Sequence, residues 1–123
     1  MKAAVVDGNN NIDIKNVPMP DIGPYEALVK INTCTICNGT DTSIVKNKFP
    51  RIGDNDYPAI LGHESIGEIK EVGDKVNNFK KGDIVLRPMA VRPDETLDGY
   101  NSLWGGFAEY GKVFDYKAFK NDT

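Results

Sequence analysis

The sequence predicts a mainly β fold, a barrel or sandwich of short strands with little helix. Three observations lead there. Apolar and polar residues alternate over short runs, as where Ala27, Val29 and Ile31 share one face and Lys30 and Asn32 the other, the period of a half-buried strand. Turn residues recur at short intervals, at Gly8-Asn9-Asn10-Asn11, Gly73-Asp74, Lys81-Gly82-Asp83 and Gly105-Gly106, which suits many short strands rather than long helices. The chain has 123 residues, 40% hydrophobic and 27% charged, enough for one domain, residues 1–123, with a modest core.

In chain order, Lys2 to Val6, a turn at Asp7 to Asn11 and then Ile12 to Lys15 form a β-hairpin, since Gly and Asn accept positive φ in the turn. A connection rich in Pro18, Pro20 and Gly23-Pro24 leads to a strand over Glu26 to Thr35. Asn38-Gly39 breaks that strand, and Asp41 is expected to cap a short helix through Lys46 by accepting backbone N–H bonds. Cys37 therefore lies at a strand-to-helix junction. Ala59-Ile60-Leu61, the Gly62-His63-Glu64 turn and a strand over Ser65 to Val72 follow, with Gly67 marking a bulge or a close backbone approach. Ile84 to Leu86 forms another strand, and Gly105-Gly106 opens a last one at Phe107 to Tyr110. The irregular piece between them, Arg87 to Trp104 with Pro88, Pro93 and Gly99, is expected to be a surface lobe.

The formal net charge is -3, and Lys and Arg are scattered among Asp and Glu, so no basic footprint for nucleic acid exists. A small molecule or a protein is the expected partner. No apolar run approaches the roughly 20 residues of a membrane span, and the apolar stretch after Met1 is too short for a signal peptide. The cytoplasm is the expected compartment. Two cysteines three positions apart make a poor disulfide framework and suit a reducing compartment.

The chain's only histidine, His63, follows Gly62 and precedes Glu64. A single histidine is commonly a surface or hydrogen-bonded residue. Here Gly62 allows a sharp bend beside it, and Glu64 brings a carboxylate within reach of the same ion or of its ligands. Cys, His and Glu converging from distant positions are how a chain builds a zinc site with one coordination position open. Cys37 is the better sulfur ligand. Cys34 is expected to be a small core residue, because a three-residue offset along a strand turns it away from Cys37 and no second cysteine pair completes a closed site. Thr40 and Asp41 each have two readings: helix capping, or a proton relay through the Thr40 hydroxyl and a hydrogen bond from Asp41 to the imidazole. No two glycines stand two positions apart, so the G-x-G-x-x-G device for dinucleotides is not written here.

Taken together, Gly62-His63-Glu64, Gly67, Val72-Gly73, Val76, Phe79-Lys80, Gly82-Asp83, Val85 and Gly105-Gly106-Phe107-Ala108-Glu109-Tyr110 resemble the N-terminal catalytic domain of zinc-dependent medium-chain alcohol dehydrogenases, with a closer likeness to the sorbitol and threonine dehydrogenase-like branch. The resemblance implies a GroES-like, partly open β-barrel. It implies a catalytic zinc held by Cys37 and His63, with Glu64 as a neighbouring or exchanging ligand, and Thr40 in a relay role. It implies an alcohol or polyol substrate, hydride transfer to NAD(P), and a separate Rossmann domain carrying that coenzyme and the remaining metal ligand, beyond Thr123. On that basis the chain is expected to be a catalytic-domain fragment, inactive alone, with zinc absent or partly occupied. The family's relay hydroxyl falls two residues after the cysteine, where this chain has Gly39 and carries Thr40 one later. The four cysteines of a structural zinc lobe are missing from Arg87 to Trp104, so that second zinc is not expected. The alternative is a stand-alone GroES-like binding or assembly module without enzymatic activity.

Overall fold

In the computed structural model, which describes residues 1–123, the strands form two four-stranded sheets that do not close into a full barrel. The strands are β1 (Lys2–Val6), β2 (Ile12–Asn16), β3 (Glu26–Thr35), β4 (Ala59–Leu61), β5 (Glu64–Val72), β6 (Ile84–Leu86), β7 (Asn101–Leu103) and β8 (Tyr110–Phe114); the helices are α1 (Asn38–Val45) and α2 (Tyr116–Asp122). The first sheet runs β2-β1-β4-β7 and the second β6-β5-β3-β8. All pairings are antiparallel except β4 with β7.

The hairpin forms as expected, with Lys2 opposite Asn16 and Val6 opposite Ile12. Its two strands differ in burial. Ala3 to Val6 is buried throughout, while every residue of β2 is exposed, so β1 reads as a continuous apolar run covered on both faces. Val6, Ala59, Leu61 and Leu103 pack with Ile44 of α1 into one core cluster. Ala27, Val29 and Ile69 form another inside the second sheet. These clusters hold the ends of β3, β4 and β5 in fixed relation, and the chemistry-bearing residues sit at those ends.

Gly67 marks a close approach rather than the bulge itself. A Cβ there would stand 2.4 Å from the Lys30 carbonyl oxygen and 2.5 Å from Val29 Cγ1, distances no side chain tolerates. The bulge falls on the facing strand: Ile31 pairs with Gly67 but Thr33 pairs with Ile66, so Asn32 is the extra residue.

Three expectations are corrected, and one helix is added. α1 begins at Asn38 with Cys37 as its N-cap residue, so Asp41 lies inside the first turn rather than ahead of the helix, and its carboxylate reaches back to accept from the Cys37 N–H. The last strand is Tyr110–Phe114, not Phe107 to Tyr110. The segment before it crosses between the sheets: Phe107 N–H donates to the Leu61 carbonyl and the Phe107 carbonyl accepts from Ala4 N–H. Those partners lie outside the β8 ladder, which delays the strand. The stretch Arg87 to Trp104 is a surface lobe only in its middle. Pro88, Ala90, Val91 and Leu103 are buried, and β7 joins the first sheet. Finally, α2 was not foreshadowed by periodicity, and a tertiary contact accounts for it.

That contact is Asp115. Its carboxylate accepts from Asn77 N–H and Asn78 N–H at 2.9 Å each, from the Asn78 amide at 2.8 Å and from Ala118 N–H at 3.0 Å. One buried side chain thus caps α2 and pins the loop before β6. Burial works against its charge, but the bonds from Ala118, Asn78 and Asn77 outweigh that effect and take the carboxyl down to about 2. The lobe is tied down by a second set of charges. Lys112 Nζ meets Glu26 at 3.2 Å and Glu95 at 3.1 Å, and Arg92 meets Glu26 at 3.4 Å; the resemblance would fill this region with a cysteine-bound zinc in some relatives.

Replacing Asp115 with Ala should lower stability by about 3 kcal/mol, because it removes a cap and strands loop N–H donors. Because the folded carboxyl lies below the ordinary value of 3.8, its contribution is present above that pH and is lost as pH falls from 3.8 towards 2. Chemical denaturation across that range should show wild type losing its advantage over Asp115→Ala; a constant gap would contradict the assignment.

Candidate metal centre

Two strand ends build the site. β3 stops at Thr35, and two residues later Cys37 starts α1 in an extended conformation (φ -96°, ψ 104°). β4 stops at Leu61, Gly62 turns at φ 113°, and β5 starts at Glu64. Thr35 pairs with Glu64 across the ladder. That register sets the residues just past β3 beside those just before β5, which brings Cys37 to His63.

One donor atom from each of Cys37, His63 and Glu64 lies within 4.8 Å of the other two. His63 Nε2 stands 3.4 Å from Glu64 Oε1. Zinc bonds of roughly 2.0–2.3 Å at tetrahedral angles put ligand atoms about 3.3–3.8 Å apart, so the His–Glu pair already has the required spacing and the sulfur needs a shift of about 1 Å at most. A thiol, an imidazole and a carboxylate are a donor set that suits zinc.

The imidazole is oriented from behind. Asp41 Oδ1 and His63 Nδ1 are both buried, and neither finds a hydrogen-bond partner elsewhere. They face each other at 3.5 Å, slightly long for a hydrogen bond. The other carboxylate oxygen, Oδ2, accepts from Cys37 N–H at 2.8 Å. Asp41 thus touches the backbone of one donor residue and the ring of another. With Nδ1–H turned to Asp41, the Nε2 lone pair points towards Glu64 and the sulfur.

Gly62 is required twice over. Its φ favours glycine, and a Cβ would stand 2.7 Å from the Phe107 ring and 2.9 Å from Cys34 Sγ. Cys34 therefore packs behind the turn, half-buried, outside the donor set. Its separation from Cys37 agrees with the sequence; its burial is only partial, so it is no core residue. Burial, then the charges of Asp41 and Glu64, push its thiol up to about 11, with the Glu64 N–H bond opposing them.

Thr40 stands in the first turn of α1, half-buried. From the sequence Trp104 and Tyr57 could each be a pocket wall or a core aromatic; the structure sets the Trp104 ring 5.5 Å from that of His63 and packs Tyr57 against the core cluster around Ile44.

Residues 23–121 match the alcohol dehydrogenase GroES-like domain, and the chain belongs to that family. It is 47% identical over 87 residues to a zinc-type alcohol dehydrogenase-like protein of Schizosaccharomyces pombe, a match covering 70% of this chain and 20% of that protein. It is 44% identical over 98 residues to a sorbitol dehydrogenase of Bacillus subtilis, covering 78% and 26%. Among solved structures, a zinc-binding dehydrogenase of Sinorhizobium meliloti bound to NADP superposes with a TM-score of 0.71 at 30% identity, covering 93% of this chain and 36% of that one. The chain thus spans about a fifth to a quarter of the length of these two sequence relatives. The GroES-like fold implied by the resemblance is borne out, and with it membership of the alcohol dehydrogenase GroES-like domain family.

Alkylation follows the thiolate fraction, so Cys34 should stay nearly inert to iodoacetamide until the pH approaches its value of about 11. Mass spectrometry of the labelled peptide measures this directly. Rapid modification of Cys34 at neutral pH would show that the thiol is not shielded by Asp41 and Glu64.

Proposed function

We propose that this chain is the catalytic-domain portion of a zinc-dependent, NAD(P)-linked alcohol or polyol dehydrogenase, with Cys37, His63 and Glu64 holding the ion. The convergence of those three donors is the observation that carries the proposal. A bound zinc supplies Lewis acidity, polarising an alcohol oxygen so that its carbon can release hydride to a nicotinamide ring. Everything else falls to the chain. Asp41 fixes the tautomer and angle of His63 and holds the Cys37 backbone in place. Glu64, 46% exposed, is the donor best able to move in and out of the metal's reach. Thr40 is our candidate to pass on the alcohol proton.

The coenzyme needs a dinucleotide fold that this sequence does not write, since no G-x-G occurs in it. We therefore assign NAD(P) binding and the hydride acceptor's pocket to a Rossmann domain of the full-length enzyme. No helix of the fold is long and apolar enough to cross a membrane, and we assign the protein to the cytoplasm on its two free cysteines. A stand-alone assembly module gives no reason for a cysteine, a histidine and a glutamate to meet.

Zinc affinity, measured by chelator competition with elemental analysis, tests the donor set. Cys37→Ala and His63→Ala should each weaken binding more than about 100-fold, and Asp41→Asn by about 10 to 100-fold, the range for a group that orients a ligand. Equal affinity in wild type and Cys37→Ala would remove the assignment. The 123-residue chain alone should show no NAD(P)-dependent alcohol oxidation.

A further inference from the structure

Trp104 leans on His63. The two rings are tilted by 59° with centroids 5.5 Å apart, and Phe49 meets the indole edge-on at 6.3 Å and 87°. These are the ordinary geometries of interacting aromatic rings. The backbone beneath is not ordinary. Trp104 has φ 76°, a left-handed conformation that a bulky residue rarely adopts.

The surroundings impose that conformation. Leu61 bridges Trp104, Gly105 N–H donates to the Ile60 carbonyl at 3.1 Å, and the Gly105 carbonyl accepts from Ala90 N–H at 3.0 Å. A glycine at 104 would take the same turn without strain. What the tryptophan adds is a large flat face beside the imidazole, held there by bonds on either side.

We propose that Trp104, backed by Phe49, is the specificity wall of the Cys37–His63–Glu64 centre and selects a flat aromatic or allylic alcohol over a polyol. The assignment rests on the metal centre proposed above. A planar, unsaturated body gains stacking and dispersion against the indole. A polyol brings several hydroxyls to the same hydrocarbon face, and each one left without a partner there is penalised. With a metal held by Cys37, His63 and Glu64, the alcohol oxygen of either ligand would turn towards that ion, so the difference between them lies in the part of the molecule that faces Trp104.

The chain has one tryptophan, so its fluorescence reports on this position alone. Cobalt(II) in place of zinc supplies visible bands that shift when a ligand joins the metal. In the cobalt-loaded chain, Co²⁺ should quench Trp104 emission, and cinnamyl alcohol should shift the bands at a concentration about ten-fold or more below that needed for sorbitol. Trp104→Ala should bring the two concentrations together with the cobalt bands intact, and Trp104→Phe should keep most of the preference. Equal or stronger binding of sorbitol to wild type, or an undiminished preference in Trp104→Ala, would overturn the wall. Should Trp104→Ala lose its β-sheet circular dichroism, the wild-type ratio and Trp104→Phe decide: a ratio near one in wild type, or the whole preference lost in Trp104→Phe, overturns the proposal. Wild type without cobalt bands even at saturating Co²⁺ would remove the metal centre itself, an outcome distinct from bands without discrimination.

Discussion

The pairing of β3 with β5 is the constraint on which the site depends. Thr35 opposite Glu64 brings the N-cap of α1 beside the Gly62 turn, and Asp41 then bridges Cys37 and His63. The extra residue at Asn32 is part of that constraint. Before it, Ile31 faces Gly67; after it, Thr33 faces Ile66, so the bulge moves the whole distal half of β3 by one position. In a strand a shift of one exchanges the two faces. Gly67 permits the arrangement by letting the Lys30 carbonyl approach where a Cβ would stand.

Two buried aspartates show how one residue type serves structure in one place and chemistry in another. Asp115 accepts four hydrogen bonds, all from groups of its own neighbourhood, and its lone pairs are used up in holding α2 to the loop before β6. Asp41 accepts one, from Cys37 N–H, and leaves its second oxygen buried and facing His63. An unpaired buried carboxylate oxygen is costly unless a partner arrives. The imidazole is that partner, and a ring held from behind has its other nitrogen aimed outward. Cys34 belongs to the same architecture from the other side: it packs against Gly62 and, with a thiol pushed up to about 11, presents no competing thiolate to the donor set.

The lobe between β6 and β7 makes a related point about economy of means. In place of a cysteine-rich loop, Lys112, Glu26, Arg92 and Glu95 form a chain of ion pairs at 3.1 to 3.4 Å, and Arg92 stacks on the Phe114 ring at 4.2 Å. Lys112 and Glu26 are largely withdrawn from water, so removing either would leave its partner's buried group uncompensated. The lobe's flanks are buried while its middle stays at the surface, a division that turn residues alone could not signal.

The sequence by itself determined the strands whose pattern is local. β1, β2, β3, β5 and β6 lie where alternation and turn residues put them, and Gly62-His63-Glu64 in register with the glycines downstream to Gly105-Gly106 carried the resemblance to the family, because glycine turns and metal-type donors are written in the residues themselves. Tertiary structure alone decided the rest. Cys37 became the start of α1 because Asp41 reaches back to its N–H; Tyr116–Asp122 became a helix because Asp115 caps it while bonding to Asn77 and Asn78; Phe107 left the last strand because its backbone bonds go to Leu61 and Ala4. Trp104 reached His63 through a left-handed turn fixed by Ile60 and Ala90. Asp41 acts over only four residues, but Asn77 and Asn78, Leu61 and Ala4, and Ile60 lie far along the chain from the residues they fix, and hydrogen bonds across such separations leave no periodic trace in the sequence that makes them.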